Sequence, residues 1–444
     1  MGKVLVEKLL RSCPHLSSIY LLVRSKKGKD VGVRMQEIFE DPLFRKLREV
    51  QPGFREKILI LEGDCSKPGL DLSPCDRQRI VDNVHIVFHM AAAVRFDEKL
   101  QIATAINVVG TRELLLLCQD CPNIKVVVHV STVFSHCNRP SIDEEFYDPP
   151  TTVERIVQLV EILDDNNLAT ITPKLLGAWP NTYTYTKAIA EDIVRTVGKD
   201  LSVGVFRPSI VYCTRRETLP GWTDNLYGPT GIVVGVVLGW IRTIYSNGKL
   251  VGDIVPCDMA VNALVTSAWH IHEQRRSGTG AIPVYNYVSS CENPITWGDF
   301  INKNIKHSWQ VPFDNAVWMV NLTLIHVHVL YKLYALLIHL LPALVGDTAL
   351  LAIGQKPRLM RTYKKVHQLL DTTSYFRNRQ WAFSNQNMIH MWNKLSEDDR
   401  KIFDFNISNL NWDLYLRQGL MGLRTFVLKD DPKKLPQAIR KRYR

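Results

Sequence analysis

"VVVHVST", residues 126–132, is nearly continuous in hydrophobicity, rich in β-branched side chains, and closed by two hydroxyls. A strand with one wet face alternates apolar and polar residues. A run without that alternation belongs to a strand covered on both faces, as in a parallel sheet. Four runs of the same kind flank it: "SIYLLVR" (18–24), "ILILEGD" (58–64), "IVFHMAA" (86–92) and "VGVFRPS" (203–209). Helical patterns fall between them, over 32–50, 98–119 and 183–197, at the spacing that parallel βαβ crossovers require. The expected fold is α/β, a doubly wound parallel sheet.

A chain of 444 residues predicts two or three folding units, and a hydrophobic share of 46% is ample for their cores. Charges interrupt "MGKVLVEKLL" (1–10), so it has no signal-peptide pattern. Nine scattered cysteines then read as reduced thiols facing the cytosol. Cys118 and Cys121 form a CxxC with no second pair, and His326, His328 and His339 have no carboxylate or cysteine at ligand spacing, so no metal is expected. A net charge of +11 points to a polyanionic partner: nucleic acid, a phosphorylated ligand or an anionic membrane face.

Doubly wound sheets bind ligands beyond the carboxyl ends of their strands. The run 18–24 ends in Arg24-Ser25-Lys26, where an acidic residue would take a ribose 2′-hydroxyl and a basic one a 2′-phosphate. Arg24 and Lys26 therefore predict NADPH rather than NADH. The next run ends in Gly63-Asp64, and the third in Ala91, Ala92 and Ala93, small enough for a cofactor to approach the backbone.

"NTYTYTKAIAED" (181–192) carries the chemistry. Tyr183 and Lys187 are four apart and share a helix face. The nearby ammonium is expected to lower the tyrosine pKa, letting Tyr183 hand a proton to a carbonyl oxygen while hydride reaches the carbon. Ser131 and Thr132 alternate faces at the end of "VVVHVST", so one of them donates to that oxygen. Thr132 is the expected donor and Ser131 the alternate.

With "LEGDCSKPGLDLS", "VFHMAAAVRFDEKL", "NVVGT" (107–111), "VVHVSTVF", "YTYTK" and "FRPSIV" (206–211), the chain resembles the extended short-chain dehydrogenase/reductases. It more closely resembles the alcohol-forming fatty acyl-CoA reductases. The likeness continues through "GWTDNLYGPTG" (221–231), "DIVPCDMAVNA" (253–263), "YNYVSSCENPITW" (285–297), "RLMRTYKKV" (358–366) and "WAFSNQNMIHMWNKL" (381–395). It implies reduction of a long-chain acyl-CoA by NADPH, through an aldehyde, to a primary alcohol with release of coenzyme A. It also implies that Asn107 and Pro208 belong to the cofactor site. Nucleic acid drops out as a partner, because coenzyme and cofactor account for the positive charge.

Such folds begin with a strand and a glycine-rich turn, and the resemblance here starts at the third glycine, Gly2. The expectation is a Rossmann-like sheet lacking its first strand, a chain truncated at its start, with weakened NADPH binding and a gap between strands two and four. The anticipated organisation is a reductase domain with its substrate-binding part over 1–312, a hydrophobic membrane-associated segment over 313–354, a mainly helical C-terminal domain over 355–428 and a basic tail over 429–444. The segment 316–354 is long enough to cross a bilayer but carries His326, His328, Lys332 and His339, so a hairpin or an interfacial helix pair is expected, with one full span as the rival and a buried helical connector as the third reading. The membrane would be peroxisomal or that of the endoplasmic reticulum, with the enzyme facing the cytosol. Two other functions remain open at this point. One is a membrane-bound sterol or other dehydrogenase of the same superfamily; the other is a degenerate, non-catalytic reductase.

Overall fold

The computed structural model describes residues 1–25, 28–278, 280–431, 433 and 435. Lys26 and the tail's last residues, with Lys441 and Arg442, lie outside the described residues. The chain forms two compact units, each built from three segments: 1–209, 257–291 and 381–406 in one, and 210–256, 292–380 and 407–444 in the other. Residues 355–428 contribute to both.

The first unit holds the parallel strands β1 (Ile19–Val23), β2 (Ile58–Glu62), β3 (Ile86–His89), β4 (Val126–Val130), β5 (Val203–Pro208) and β6 (Val284–Tyr287). β6, β5, β4 and β3 pair in that order, while β1 pairs only with β2. The doubly wound order puts one strand between β1 and β3, and none of the described residues fills that position. β1 is accordingly half-buried along its whole length, and Ile86 at the start of β3 is 49% exposed.

Helices α1 (Gly2–Ser12), α2 (Val31–Glu40), α3 (Pro74–Asn83), α4 (Leu100–Gln119), α5 (Thr182–Thr196) and α6 (Cys257–Arg276) connect these strands. α1 buries Val4, Leu5 and Leu10 and packs against α6. α4 is half-buried and includes a π-helical turn over Thr104–Val109. Val108 and Leu115 of α4, Ile189 and Ile193 of α5, and Val127, Val205 and Val284 of the strands form one fully buried cluster. Each such side chain contributes roughly 1.5–3 kcal/mol by leaving water.

In the second unit, Ile210–Tyr212 pairs in parallel with Ile254–Pro256, and Thr243–Tyr245 with Thr323–Ile325. Ile232, Ile241, Ile244, Val320 and Leu370 are buried together there. The hydrophobic segment differs from the hairpin or helix pair expected. Its apolar part is one continuous helix, His328–Ala352, and the helix after it, Leu359–Arg377, is rich in charge. Pro342 does not break the first helix, because it sits just after a π-helical turn (Leu336–Leu340), at the second position of the final helical stretch.

Candidate active site

The end of β4 and the face of α5 supply the reactive groups. Asn181 caps α5, its side-chain oxygen accepting from the backbone N–H of Thr184 at 2.9 Å. The helix so started places Tyr183, Lys187 and Glu191 one above another at four-residue steps. Lys187 is buried and donates through Nζ to the carbonyl of Val130 at 2.7 Å, with His129 Nε2 at 3.2 Å. The Thr132 side chain lies beside the phenol of Tyr183. Its hydroxyl accepts from the backbone of Phe134 at 3.3 Å, capping the turn that follows. Phe96 stacks on the Tyr183 ring, with centroids 5.9 Å apart.

Ser131 turns the other way. Its hydroxyl donates to Glu191, which also receives Nε and Nη2 of Arg207 at 3.0 and 2.6 Å. Arg207 is fully buried on β5, and its remaining donors reach the carbonyls of Asp143 and Glu145 at 3.0 and 2.9 Å. One carboxylate thus ties α5 to the end of β4 and to β5. Glu191, Arg207 and His129 are functional neighbours that no catalytic spacing in the sequence announces. The available signal was polarity in apolar surroundings: one more four-residue step along α5, and single polar residues inside two buried strands.

Burial pushes Lys187 down to about 8, against the opposing charge of Glu191. Burial pushes Tyr183, itself half-buried, up to about 12, although the adjacent Thr132 side chain works the other way. The expectation that the ammonium would lower the tyrosine pKa is therefore corrected: loss of hydration decides the direction. Burial, and then the Lys187 charge, hold His129 well below its usual value and His89 at about 3, so both are neutral. Burial works against the charge on Glu191, but the Arg207 guanidinium overcomes it and holds the carboxyl well below the usual range.

The residues expected to hold a cofactor lie at strand ends. Arg24 follows β1 with its side chain 48% exposed, and its Nη1 stands 3.6 Å from Asp64 beyond β2. Burial alone would raise Asp64, but hydrogen bonds from Ser66 and the Arg24 charge bring its pKa down. Ser25 is exposed beside Arg24, Ala91 is exposed after β3, Ala92 is half-buried, and Pro208 is buried at the end of β5. Asn107, buried in the π-helical turn of α4, accepts from Ala93 N at 2.8 Å and donates to Thr186 Oγ1 at 2.9 Å. It fastens the alanine loop to α5. Gly2 stands apart as the first residue of α1, where an added Cβ would meet nothing within 4 Å. Among the described residues no group of three His, Cys, Asp or Glu is placed to hold a metal ion.

An exposed guanidinium at the end of β1 and small residues at the end of β3 fit a phosphorylated dinucleotide lying across the strand ends. A phenol and an ammonium on one face of α5, with a hydroxyl at the end of β4, fit protonation of a carbonyl oxygen. Residues 1–264 match the NAD-binding part of a family described as Male sterility protein, and residues 338–430 match a second model with that description. "Fatty acyl-CoA reductase wat" of Drosophila melanogaster is 43% identical over 442 residues, covering 100% of this chain and 84% of the relative. "Fatty acyl-CoA reductase 1" of Homo sapiens is 38% identical over 438 residues, covering 99% and 84%. Among solved structures, the terminal R domain of the myxalamid PKS-NRPS pathway aligns with a TM-score of 0.62 at 20% identity, covering 95% of this chain and 87% of that one. A reductase domain of a nonribosomal peptide synthetase from Mycobacterium tuberculosis gives 0.58 at 18%, covering 96% and 89%. The two structures share the fold.

Proposed function

The chain belongs to the fatty acyl-CoA reductase family, and from that premise we propose that it reduces a long-chain or very-long-chain fatty acyl-CoA with NADPH to the primary alcohol. The cofactor is a nicotinamide dinucleotide; its identity as NADPH rests on Arg24. Two molecules of NADPH, bound in turn, supply one hydride that takes the thioester to a hemithioacetal, which collapses to the aldehyde with loss of coenzyme A, and a second that takes the aldehyde to the alcohol. Tyr183 holds a proton at its phenol oxygen and passes it to the substrate oxygen as negative charge builds there. Thr132 donates a hydrogen bond to the same oxygen. Lys187, fastened beneath by the Val130 carbonyl, presents the positive charge that stabilises the tyrosinate left behind. Both reductions build charge on one oxygen, so one site serves twice.

The observation that carries this reading is the pairing of Tyr183 with a buried Lys187 on one face of α5, beside Thr132 at the end of β4. The experiment is NADPH oxidation dependent on a long-chain acyl-CoA, with the product identified as alcohol. Replacing Tyr183 with Phe should abolish it. Full activity in that variant would move the proton donor elsewhere. Formation of no alcohol by the unaltered chain would favour a non-catalytic protein or a dehydrogenase of another substrate.

The reading includes association with the cytosolic face of the peroxisomal or endoplasmic reticulum membrane. Its support is His328–Ala352, 25 residues long, apolar and only 22% buried. Co-sedimentation with one of those organelles' membranes tests it.

A further inference from the structure

We propose that the outward face of His328–Ala352 docks in the plane of an anionic phospholipid bilayer surface and does not cross the bilayer. The proposal rests on the membrane association just described and specifies its geometry. Length alone does not decide. Twenty-five residues make a helix of about 37 Å, enough for a hydrocarbon core of about 30 Å. What decides is how the helix is fastened along one side and what lies beside its midpoint.

Tyr331, Ala335, His339, Ala343 and Asp347 are buried, and they recur at every fourth position. Four-residue steps drift around an ordinary α-helix, and the π-helical turn at Leu336–Leu340 keeps the stripe on one side. The stripe is tied down by polar bonds. The Tyr331 hydroxyl stands 3.4 Å from His367 Nδ1. His339 Nε2 accepts from the backbone N–H of Arg242 at 3.0 Å. Asp347 accepts from the backbone N–H groups of Arg358, Leu359 and Met360 at 2.8, 2.9 and 2.9 Å, capping the next helix. From Tyr331 to Asp347 is about 24 Å along the axis, so the unit's body follows most of the helix. Of the polar residues that interrupt the apolar run in the sequence, His339 faces inward, as does Asp347, while His328 and Lys332 are exposed. Outward stand Val329, Leu333, Leu337, Leu344 and Leu351, with Val329 74% exposed.

The Tyr363 ring stacks on His339 at the middle of the helix, with centroids 5.1 Å apart. Arg361, Lys364 and Lys365, which flank Tyr363, are exposed. If His328–Ala352 crossed a bilayer, these cations would be carried to the depth of the hydrocarbon centre, where ammonium and guanidinium groups are expensive. With the helix in the plane they meet the headgroups. Between Asp347 and Asp371 the sequence holds Lys356, Arg358, Arg361, Lys364 and Lys365 and no acidic residue, a cluster of the kind that favours anionic lipid. Trp318 is 62% exposed, with the Arg242 guanidinium 4.9 Å from its ring centroid. It therefore lies beside the same midpoint, and indole rings favour the interface.

The test uses the full chain and vesicles of phosphatidylcholine with and without phosphatidylserine. Flotation with the phosphatidylserine vesicles is expected, at least tenfold weaker in Lys364→Glu/Lys365→Glu and lost in Leu333→Asp/Leu344→Asp. Circular dichroism and reduction of a long-chain acyl-CoA check that each variant is folded. Fluorophores placed singly at 329, 341 and 351, in a chain whose exposed Cys75 and Cys291 are replaced, then report depth through brominated lipids. Equal, shallow quenching at all three supports the proposal. Depth graded from one end to the other overturns it and leaves membrane association standing. Flotation indifferent to phosphatidylserine and to the charge reversal overturns the electrostatic part. No flotation at all, with a dimer in sedimentation that Leu333→Asp/Leu344→Asp dissolves, gives the face to a second copy of the chain and overturns both readings.

Discussion

Ser131 and Thr132 are adjacent, yet their side chains face different partners: the Ser131 hydroxyl donates to Glu191, and Thr132 lies beside the phenol of Tyr183. The pleat of β4 sends consecutive side chains to opposite faces, and α5 supplies a partner on each side. Replacing Thr132 with Ala should cost about 10²–10³ in kcat, the usual loss for a donor to a developing oxyanion. Ser131→Ala should lose only one neutral-to-charged hydrogen bond, about 1.5–3 kcal/mol of stability, with kcat within a few-fold. Steady-state kinetics and thermal melts of the two variants decide; equal kcat losses would return Ser131 to the reaction.

The pH dependence follows from the two shifted groups. Lys187 at about 8 is charged below that pH and neutral above it, whereas Tyr183 at about 12 keeps its proton throughout. Activity that needs the ammonium should therefore fall as pH rises through about 8. Stability runs the opposite way, because a lysine whose folded pKa is depressed penalises folding while charged; its share of stability rises between about 8 and the unfolded value. Lys187→Arg, which stays charged, should remove the alkaline fall in a kcat–pH profile even where kcat itself drops.

Arg24 should choose the cofactor. Its exposed guanidinium at the end of β1 suits a 2′-phosphate, and a charge-assisted contact is worth about 1.5–3 kcal/mol, or ~10–100-fold. Arg24→Ala should raise KM for NADPH by that factor and leave KM for NADH unchanged. Parallel titrations with both cofactors measure it.

The Glu191–Arg207 pair should be costly to break from one side. Glu191→Gln leaves a fully buried guanidinium without its counter-charge, and such losses run to about 3–5 kcal/mol. Glu191→Met with Arg207→Met should recover much of it. Urea unfolding of the single and double variants gives the coupling energy.

Much of this was legible in the chain. β1 to β5 announce themselves because strands covered on both faces carry unbroken apolar runs. β6 does not, since "VYNY" has Asn286 at its centre, whose amide nitrogen donates to the carbonyls of Ile142 and Ser384 at 3.2 and 2.9 Å; those partners are distant in sequence. The Tyr183–Lys187 spacing is local and readable. The direction of the Tyr183 shift is not, because burial is made by elements that sequence spacing does not bring together. His339 reads as a flaw in a membrane segment for the same reason: its partner, the backbone of Arg242, appears only on folding.

The three-segment make-up of each unit bears on synthesis. The first unit's sheet is encoded by residue 287, yet the unit also contains 381–406, where Trp381 donates to the carbonyl of Cys137 at 3.0 Å and Asn387 to that of Val284 at 2.8 Å. A nascent chain that has not yet released residues 381–406 therefore lacks the piece that closes this unit. Such long-range closure slows folding and leaves apolar surface waiting, so nascent chains of this protein should lean on chaperones until that segment emerges.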